Sequence, residues 1–359
     1  MKLRLITLLC IGLLLGMAKL MPAAAQDQAS VSALNCLGLS DSDCALVKQS
    51  AENTSKIQSF AHNFTFSASV SNASQIVQGF DSAVSAQGSG AFAIDNSQTT
   101  EATPYAGVSL SINLSSTIND SHGETSGDTT LLIAAGNAYL KDPATGLWRG
   151  TSLAGLAQHP EVLSFPFMGI DIPAAQIVQM GVGMTEMGSG QTGTLTADGI
   201  DVMALLQVPG FLNQTRLADE TIGGQNTAVF AYTADIGVLL SNPDVQKSLA
   251  NLSDSAGTSD NSMVQQMAFI LPVLLQNASG TVTLTRWIGT DDGLPHRVVL
   301  DINAPVDLGI KSGNGTPIPP IELKLNFTLD LSAINSTTAP TVPDGATLVP
   351  AQQFLPQSG

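Results

Sequence analysis

Charge is scarce in this chain. Charged residues make up 12% of its 359 positions, and Asp and Glu outnumber Lys and Arg by 29 to 13, a formal net charge of −16. A surface that follows nucleic-acid phosphates has to be basic, so a nucleic-acid partner is excluded. Hydrophobic residues reach 43%, which also excludes an acidic disordered chain. Aromatics are few, at 5%, so a core must be filled largely by aliphatic side chains with abundant Ala and Gly. Histidine is reduced to His62, His122, His159 and His296, with no His-x-x-x-His pair and no acidic residue at ligand spacing. No zinc centre follows from that set, and each histidine reads as a surface or loop residue. P-loop and GxGxxG elements are missing. The segment Gly150-Thr-Ser152-Leu-Ala154 imitates a nucleophile elbow but has Ala where the second glycine belongs, so it reads as a helix start. Asp291-Asp292-Gly293 lacks the further carboxylates of a calcium loop and reads as a turn. The chain is therefore not expected to be an enzyme, and no cofactor or metal is implied.

A long apolar run is also lacking. Leu5 to Met17 is too short for a convincing membrane span and is soon followed by Lys19. With Lys2 and Arg4 before it and Ala23-Ala24-Ala25 after it, the run reads as an export signal over residues 1–25. A retained N-terminal anchor is the alternative. Removing the signal takes Cys10 with it and leaves Cys36 and Cys44. An even count in an oxidising compartment favours a disulfide between these two, against two free thiols. Eleven Asn-x-Ser/Thr triplets are present, more than the roughly four expected by chance, which a polar strand face would explain without glycosylation.

Residues 26–40 read as a linker, and a helix capped by Asp41 or Ser42 is predicted to run to about Phe60. Period-two alternation then predicts strands at 64–70, 88–94 and 108–114, and two strands around Gly136-Asn137. Asp171, with Pro173 in the first turn, is expected to cap a helix carrying Ile177, Met180, Met184 and Met187. Strands are predicted at 215–218 and 227–233, then helices at 235–252 and 261–277, the latter kinked by Pro272. Residues 321–331 form the longest clean alternation, and the Pro/Thr-rich tail, 333–359, is expected to wander over the surface. Helices grouped between blocks of hairpin-linked strands imply an α+β fold: one strongly curved antiparallel β-sheet, a half-barrel, with helices over its concave face.

The most specific signals are two hairpins. Over residues 280–303, a strand with Val282, Leu284, Arg286 and Ile288 on one face and Thr283, Thr285 and Trp287 on the other ends in Trp-Ile-Gly. Asp-Asp-Gly-Leu-Pro and a basic return strand follow. Residues 137–148 likewise bring a strand ending in an aromatic and Leu through a Lys-Asp turn to Trp148. Both hairpins resemble those of the LolA-like half-barrel proteins, nearest to the LppX/LprG branch of bacterial lipid-binding lipoproteins. The resemblance covers roughly residues 40–332 as one domain. The chain departs from that branch at Cys10, which lies inside the apolar run rather than after a lipobox. The resemblance implies an exported or envelope protein that holds a lipid or other long apolar ligand between sheet and helices. Flexible, polarizable methionines suit such a lining. The candidate lining residues are Met180, Met184, Met187, Met263, Met267, Leu271, Trp148 and Trp287. The rival expectations are a protein-interaction or sensor module resembling RseB-type regulators, with an envelope protein or membrane surface as partner, and a structural envelope protein with no cavity.

Overall fold

Ser40 opens the first element. Its Oγ accepts the Asp43 N–H at 3.2 Å, and Asp41 and Asp43 place negative charge in the first turn of helix α1, Asp41–Thr54. The helix stops well short of the predicted Phe60. Thr54 and Ser55 donate their hydroxyls to the carbonyls of Ser50 and Glu52, at 2.7 Å each, offering the backbone an exit from the helix. Phe60 instead belongs to the first strand. The computed structural model describes residues 36, 38–75, 81–98, 106–121, 123–143, 145–158, 164–167, 170–173, 196–197, 200–201, 212–243, 246, 277–311 and 315–354.

The strands in chain order are β1 (Ser59–Ser71), β2 (Ser82–Ile94), β3 (Val108–Asp120), β4 (Gly123–Ala134), β5 (Asn137–Lys141) and β6 (Trp148–Ser152). Helix α2 (Leu153–Gln158) comes next, opened by Ser152, whose Oγ accepts the Gly155 N–H at 3.0 Å. The Gly150–Ala154 segment is thus a helix start. Two short hairpins follow, β7 (Ser164–Phe167) with β8 (Ile170–Pro173) and β9 (Thr196–Ala197) with β10 (Ile200–Asp201). The chain continues through β11 (Leu212–Arg216), β12 (Glu220–Ile222), β13 (Gln225–Asp235), helix α3 (Ile236–Ser241), β14 (Thr281–Gly289), β15 (Pro295–Val306), β16 (Ile321–Ser332) and β17 (Thr347–Leu348).

Thirteen of these strands form one curled, unclosed sheet in the order β11-β13-β14-β15-β16-β1-β2-β3-β4-β5-β6-β17, with β12 also paired to β13. All pairings are antiparallel except β17 with β6. The α+β half-barrel expected from the sequence is the fold observed. Chain order and sheet order agree within each block, because short turns force neighbours to pair. The exceptions are the β6–β17 pair and the β1–β16 junction, which joins the two strand blocks through eleven matched pairs from Ala61↔Ser332 to Ser71↔Glu322.

Three further differences stand beside the early end of α1. Residues 170–173 are a strand rather than the start of a helix at Asp171; Phe165 pairs with Ile172 and Phe167 with Ile170, so period-two alternation decides the structure there. The remainder of that predicted helix, and residues 261–276, lie outside the described residues. Helix α3 begins as expected, with Asp235 Oδ1 accepting the Val238 N–H at 3.0 Å. Secondly, the tail does not simply wander. β17 pairs with β6, and Ala351 and Phe354 are 6% and 2% exposed in the main core, anchored by apolar residues hidden among Pro and Gln. Thirdly, β12 went unpredicted, being only three residues long.

Cys36 and Cys44 are joined by a disulfide at the entrance to α1. In the chain-entropy treatment so short a loop contributes about 2–3 kcal/mol at most. Urea denaturation with and without reductant should show a loss no larger than that, and non-reducing peptide mapping should recover the two cysteines as one linked peptide.

Candidate functional site

Strand alternation divides the sheet into two chemically distinct faces. Along one row, Phe66 of β1 is flanked by Ala86 of β2 and Phe327 of β16, and beyond Phe327 by Leu300 of β15, Leu284 of β14 and Tyr232 of β13. Paired residues in antiparallel strands share a face, so this row marks one continuous apolar surface. Phe60, Phe64, Phe92, Leu110, Ile112, Leu131, Ile133 and Leu329 belong to it and are buried in the principal core. The α1 side chain Val47 packs on the same surface against Ala228, Phe230 and Ile288, and Leu156 of α2 joins the principal core.

On β1 and β2 the opposite face is built from Ser, Thr, Asn and Gln: Asn63, Thr65, Ser67 and Ser69 on β1, opposite Ser89, Gln87, Ser85 and Ala83 on β2. Asn63, Asn113, Asn119, Asn213 and Asn326 each lie in a strand here, and all but Asn119 have their Ser or Thr two positions on in the same strand. Period-two geometry puts such pairs on one face, which accounts for much of the excess of Asn-x-Ser/Thr triplets. Two open grooves cross this polar face. One, of about 500 Å³, runs between Ser67, Ser69, Ser85, Asp301, Lys324 and Asn326. The other, of about 480 Å³, runs between Asn63, Gln87, Asn113 and Asp128.

The apolar face is not wholly apolar. His62 lies in the series Phe60-x-His62-x-Phe64-x-Phe66 and is 2% exposed, contrary to the expectation of a surface or loop histidine. Its ring is flanked by those of Phe60 and Phe64 at centroid distances of 6.0 and 6.3 Å. Burial pulls its pKa down from 6.5 to about 4, so the imidazole is neutral at physiological pH. Neither ring nitrogen has a hydrogen-bond partner. The same is true of Ser50 Oγ on the buried side of α1, the Tyr232 hydroxyl, and both polar atoms of the Gln214 side chain. Buried polar atoms are normally paired, and leaving one unpaired costs about 1–3 kcal/mol. Among the described residues, every such orphan belongs to the apolar face or to the helix packed on it.

Room for the His62 ring comes from the neighbouring strand. Its partner on β2 is Gly90, and that of Phe64 is Gly88. A Cβ at Gly88 would sit 2.5 Å from the Phe64 ring, so the aromatic rings of β1 occupy the space that side chains on β2 would fill.

The sequence-predicted site residues are placed as follows. Met180, Met184, Met187, Met263, Met267 and Leu271 lie outside the described residues. Trp287 pairs with Arg297, donates its indole N–H to Glu220 at 3.0 Å and has the Arg297 guanidinium over its ring. That is the polar face, as its alternation with Thr283 and Thr285 requires. Trp148 pairs with Lys141, on the same polar face, with the ammonium 6.0 Å from the ring centroid. Neither tryptophan meets the apolar face. Asp292 organises its turn, accepting the Leu294 N–H at 2.9 Å and contacting the His296 ring at 3.0 Å. Among the described residues no group of His, Cys, Asp and Glu could hold a metal ion. The residues missed by the sequence analysis are Gln214 and Tyr232. The signal for them was parity, since each occupies a position that alternation assigns to the apolar side.

No protein-family profile matches the chain, and no curated protein does. Solved structures do. LprF from Mycobacterium bovis is 14% identical, with a TM-score of 0.32 over 84% of this chain and 96% of that one. The lipoprotein LppX from Mycobacterium tuberculosis is 13% identical, with a TM-score of 0.29 over 83% of this chain and 98% of that one. MucB of Pseudomonas aeruginosa, solved with MucA, is 9% identical, with a TM-score of 0.20 over 83% of this chain and 58% of that one.

Proposed function

We propose that this chain is an exported envelope protein that holds a lipid or other long apolar ligand, without covalent attachment, against the apolar face of the half-barrel. The observation that carries this reading is the face itself: one apolar surface running across the curled sheet, interrupted by buried polar atoms that have no hydrogen-bond partner among the described residues. The polar end of an amphiphilic ligand supplies the hydrogen-bond partners that the orphaned atoms lack. Each buried CH₂ contributes roughly 0.8 kcal/mol before ordering costs, so a long acyl chain suffices for useful affinity. Export follows from the signal at 1–25, with the mature chain beginning near Gln26. Met180, Met184, Met187, Met263, Met267 and Leu271 are proposed to complete the lining from the cover side. No catalytic role is assigned.

A second reading has its own support. Leu147 and Leu348 are 65% and 59% exposed at the β6–β17 edge, and exposed apolar side chains at an open sheet edge fit a protein-interaction module.

The test is direct. Organic extracts of native protein should release a lipid detectable by mass spectrometry, and delipidated protein should take up a fluorescent fatty-acyl probe. Met184→Trp and Met267→Trp should then reduce uptake at modest cost to stability, whereas overpacking a closed core costs about 1–3 kcal/mol. Delipidated protein that binds no probe, with both variants strongly destabilised, would make these methionines plain core and leave the interaction module standing.

A further inference from the structure

Three adjacent strands bring one unusual group together on the apolar face. Gln214 of β11 pairs directly with Tyr232 of β13, and Tyr232 pairs with Leu284 of β14. Arg286 stands two residues beyond Leu284 and therefore on the same side of the sheet. Burial pushes the Tyr232 phenol above its ordinary pKa, opposed by the charge of Arg286 and by the approach of Arg286 and Gln214 to the hydroxyl. Those approaches fall short of hydrogen-bond geometry: the hydroxyl and both Gln214 polar atoms remain unpaired. Arg286 is half-buried. Among the described residues, carboxylates pair with Arg216, Arg297, Lys324 and His296, and none pairs with Arg286.

Arg216, on the same face, differs in this respect. It pairs with Phe230, which pairs in turn with Arg286, but its guanidinium is held by Asp43 and Asp219. Among the described residues, Arg286 is therefore a cation on the apolar face without a paired carboxylate, in a chain whose net charge is −16. Beside it stand a phenol O–H and an amide N–H₂, both donors and both unused. A guanidinium with converging neutral donors is the chemistry that binds an oxyanion, because a charge-assisted hydrogen bond is roughly twice as strong as a neutral one.

We propose that Arg286, Tyr232 and Gln214 form a headgroup subsite that holds the carboxylate or phosphate of an anionic amphiphile whose chain lies on the apolar face. The inference rests on the apolar-ligand reading and narrows it from any long apolar molecule to one with an anionic end. The headgroup supplies acceptors to the guanidinium, the phenol and the amide, and the chain leaves toward Leu284, Leu300 and Phe327 along a single row of the sheet.

Delipidated protein titrated with dansyl-undecanoic acid and with its methyl ester separates the two ideas. The wild type should bind the acid at least tenfold more tightly than the ester. Arg286→Gln should bring the acid down to the level of the ester, Tyr232→Phe should lower it by a smaller factor, and Arg286→Lys should retain part of the preference. Unchanged ester binding by Arg286→Gln shows that the variant is folded. Equal binding of acid and ester by wild type and Arg286→Gln overturns the subsite and leaves the apolar-ligand reading intact. A wild type that binds neither probe overturns both. Inorganic phosphate added at probe concentration should not displace the acid; displacement in the wild type but not in Arg286→Gln would assign the site to a free anion and overturn the headgroup.

Discussion

As pH falls from 6.5 toward 4, the protein is expected to lose about 3 kcal/mol of stability at His62 alone, since each pKa unit corresponds to about 1.4 kcal/mol. The direction follows from where the proton goes. In the unfolded chain the imidazole titrates near 6.5; in the folded chain burial holds it near 4. Between those values the unfolded state takes up a proton that the folded state refuses, so acid favours unfolding. Above pH 6.5 both states are neutral and this contribution is constant. Below pH 4 both are charged and the loss levels off. Among the described residues no neighbouring charge offsets the effect: the register partners of His62 are Leu331 and Gly90, and its ring neighbours are Phe60 and Phe64. His62→Leu should remove this limb of the pH profile. Urea midpoints for wild type and variant, measured from pH 7.5 to 3.5, should keep a constant difference above pH 6.5 and shift by about 3 kcal/mol in favour of the variant by pH 4. Parallel profiles would show that His62 reaches solvent and titrates as an ordinary histidine.

His62 also illustrates what could be read from the sequence. The half-barrel was legible because strand parity is a local property: 59–71 and 321–332 alternate cleanly, and the hairpin at 281–306 carries its own turn chemistry in Asp292 and Gly293. The same parity assigned Trp287 to the face of Thr283 and Thr285, yet Trp287 is counted in the candidate lining. The structure follows the parity. Histidine scarcity pointed to a surface role for His62, but its spacing from Phe60, Phe64 and Phe66 held the contrary signal. The tail failed for a different reason. Phe354 is buried through a non-local contact, and composition alone cannot foresee that a Pro- and Gln-rich segment will dock. The Gln214, Tyr232 and Arg286 group likewise required the β11-β13-β14 strand order, which places residues from three strands side by side.

Gly90 is a position where a single added methyl is expected to have a large effect. Its requirement is for space and not for an unusual backbone, since its φ is not among the positive values. A Cβ there would lie 1.8 Å from the Ser111 carbonyl oxygen of β3 and 3.1 Å from Cε1 of His62. The side-chain contact can relax, but the carbonyl belongs to the β2–β3 ladder, where Gly90 pairs with Ile112 next to Ser111. Relief therefore means moving a strand in the middle of the sheet, and Gly90→Ala should cost about 3 kcal/mol or more, at the upper end for overpacking. Ser89→Ala, one residue away on the exposed polar face, should stay within about 0.5 kcal/mol. A double-mutant cycle locates the strain. If the methyl strikes mainly the histidine ring, His62→Ala should restore much of the stability of Gly90→Ala. Because the nearer contact is backbone, the two losses should instead add to within about 0.5 kcal/mol of their sum, measured by urea denaturation at pH 7.5. Strong rescue would place the obstruction at His62 and make Gly90 the floor of the histidine's niche alone.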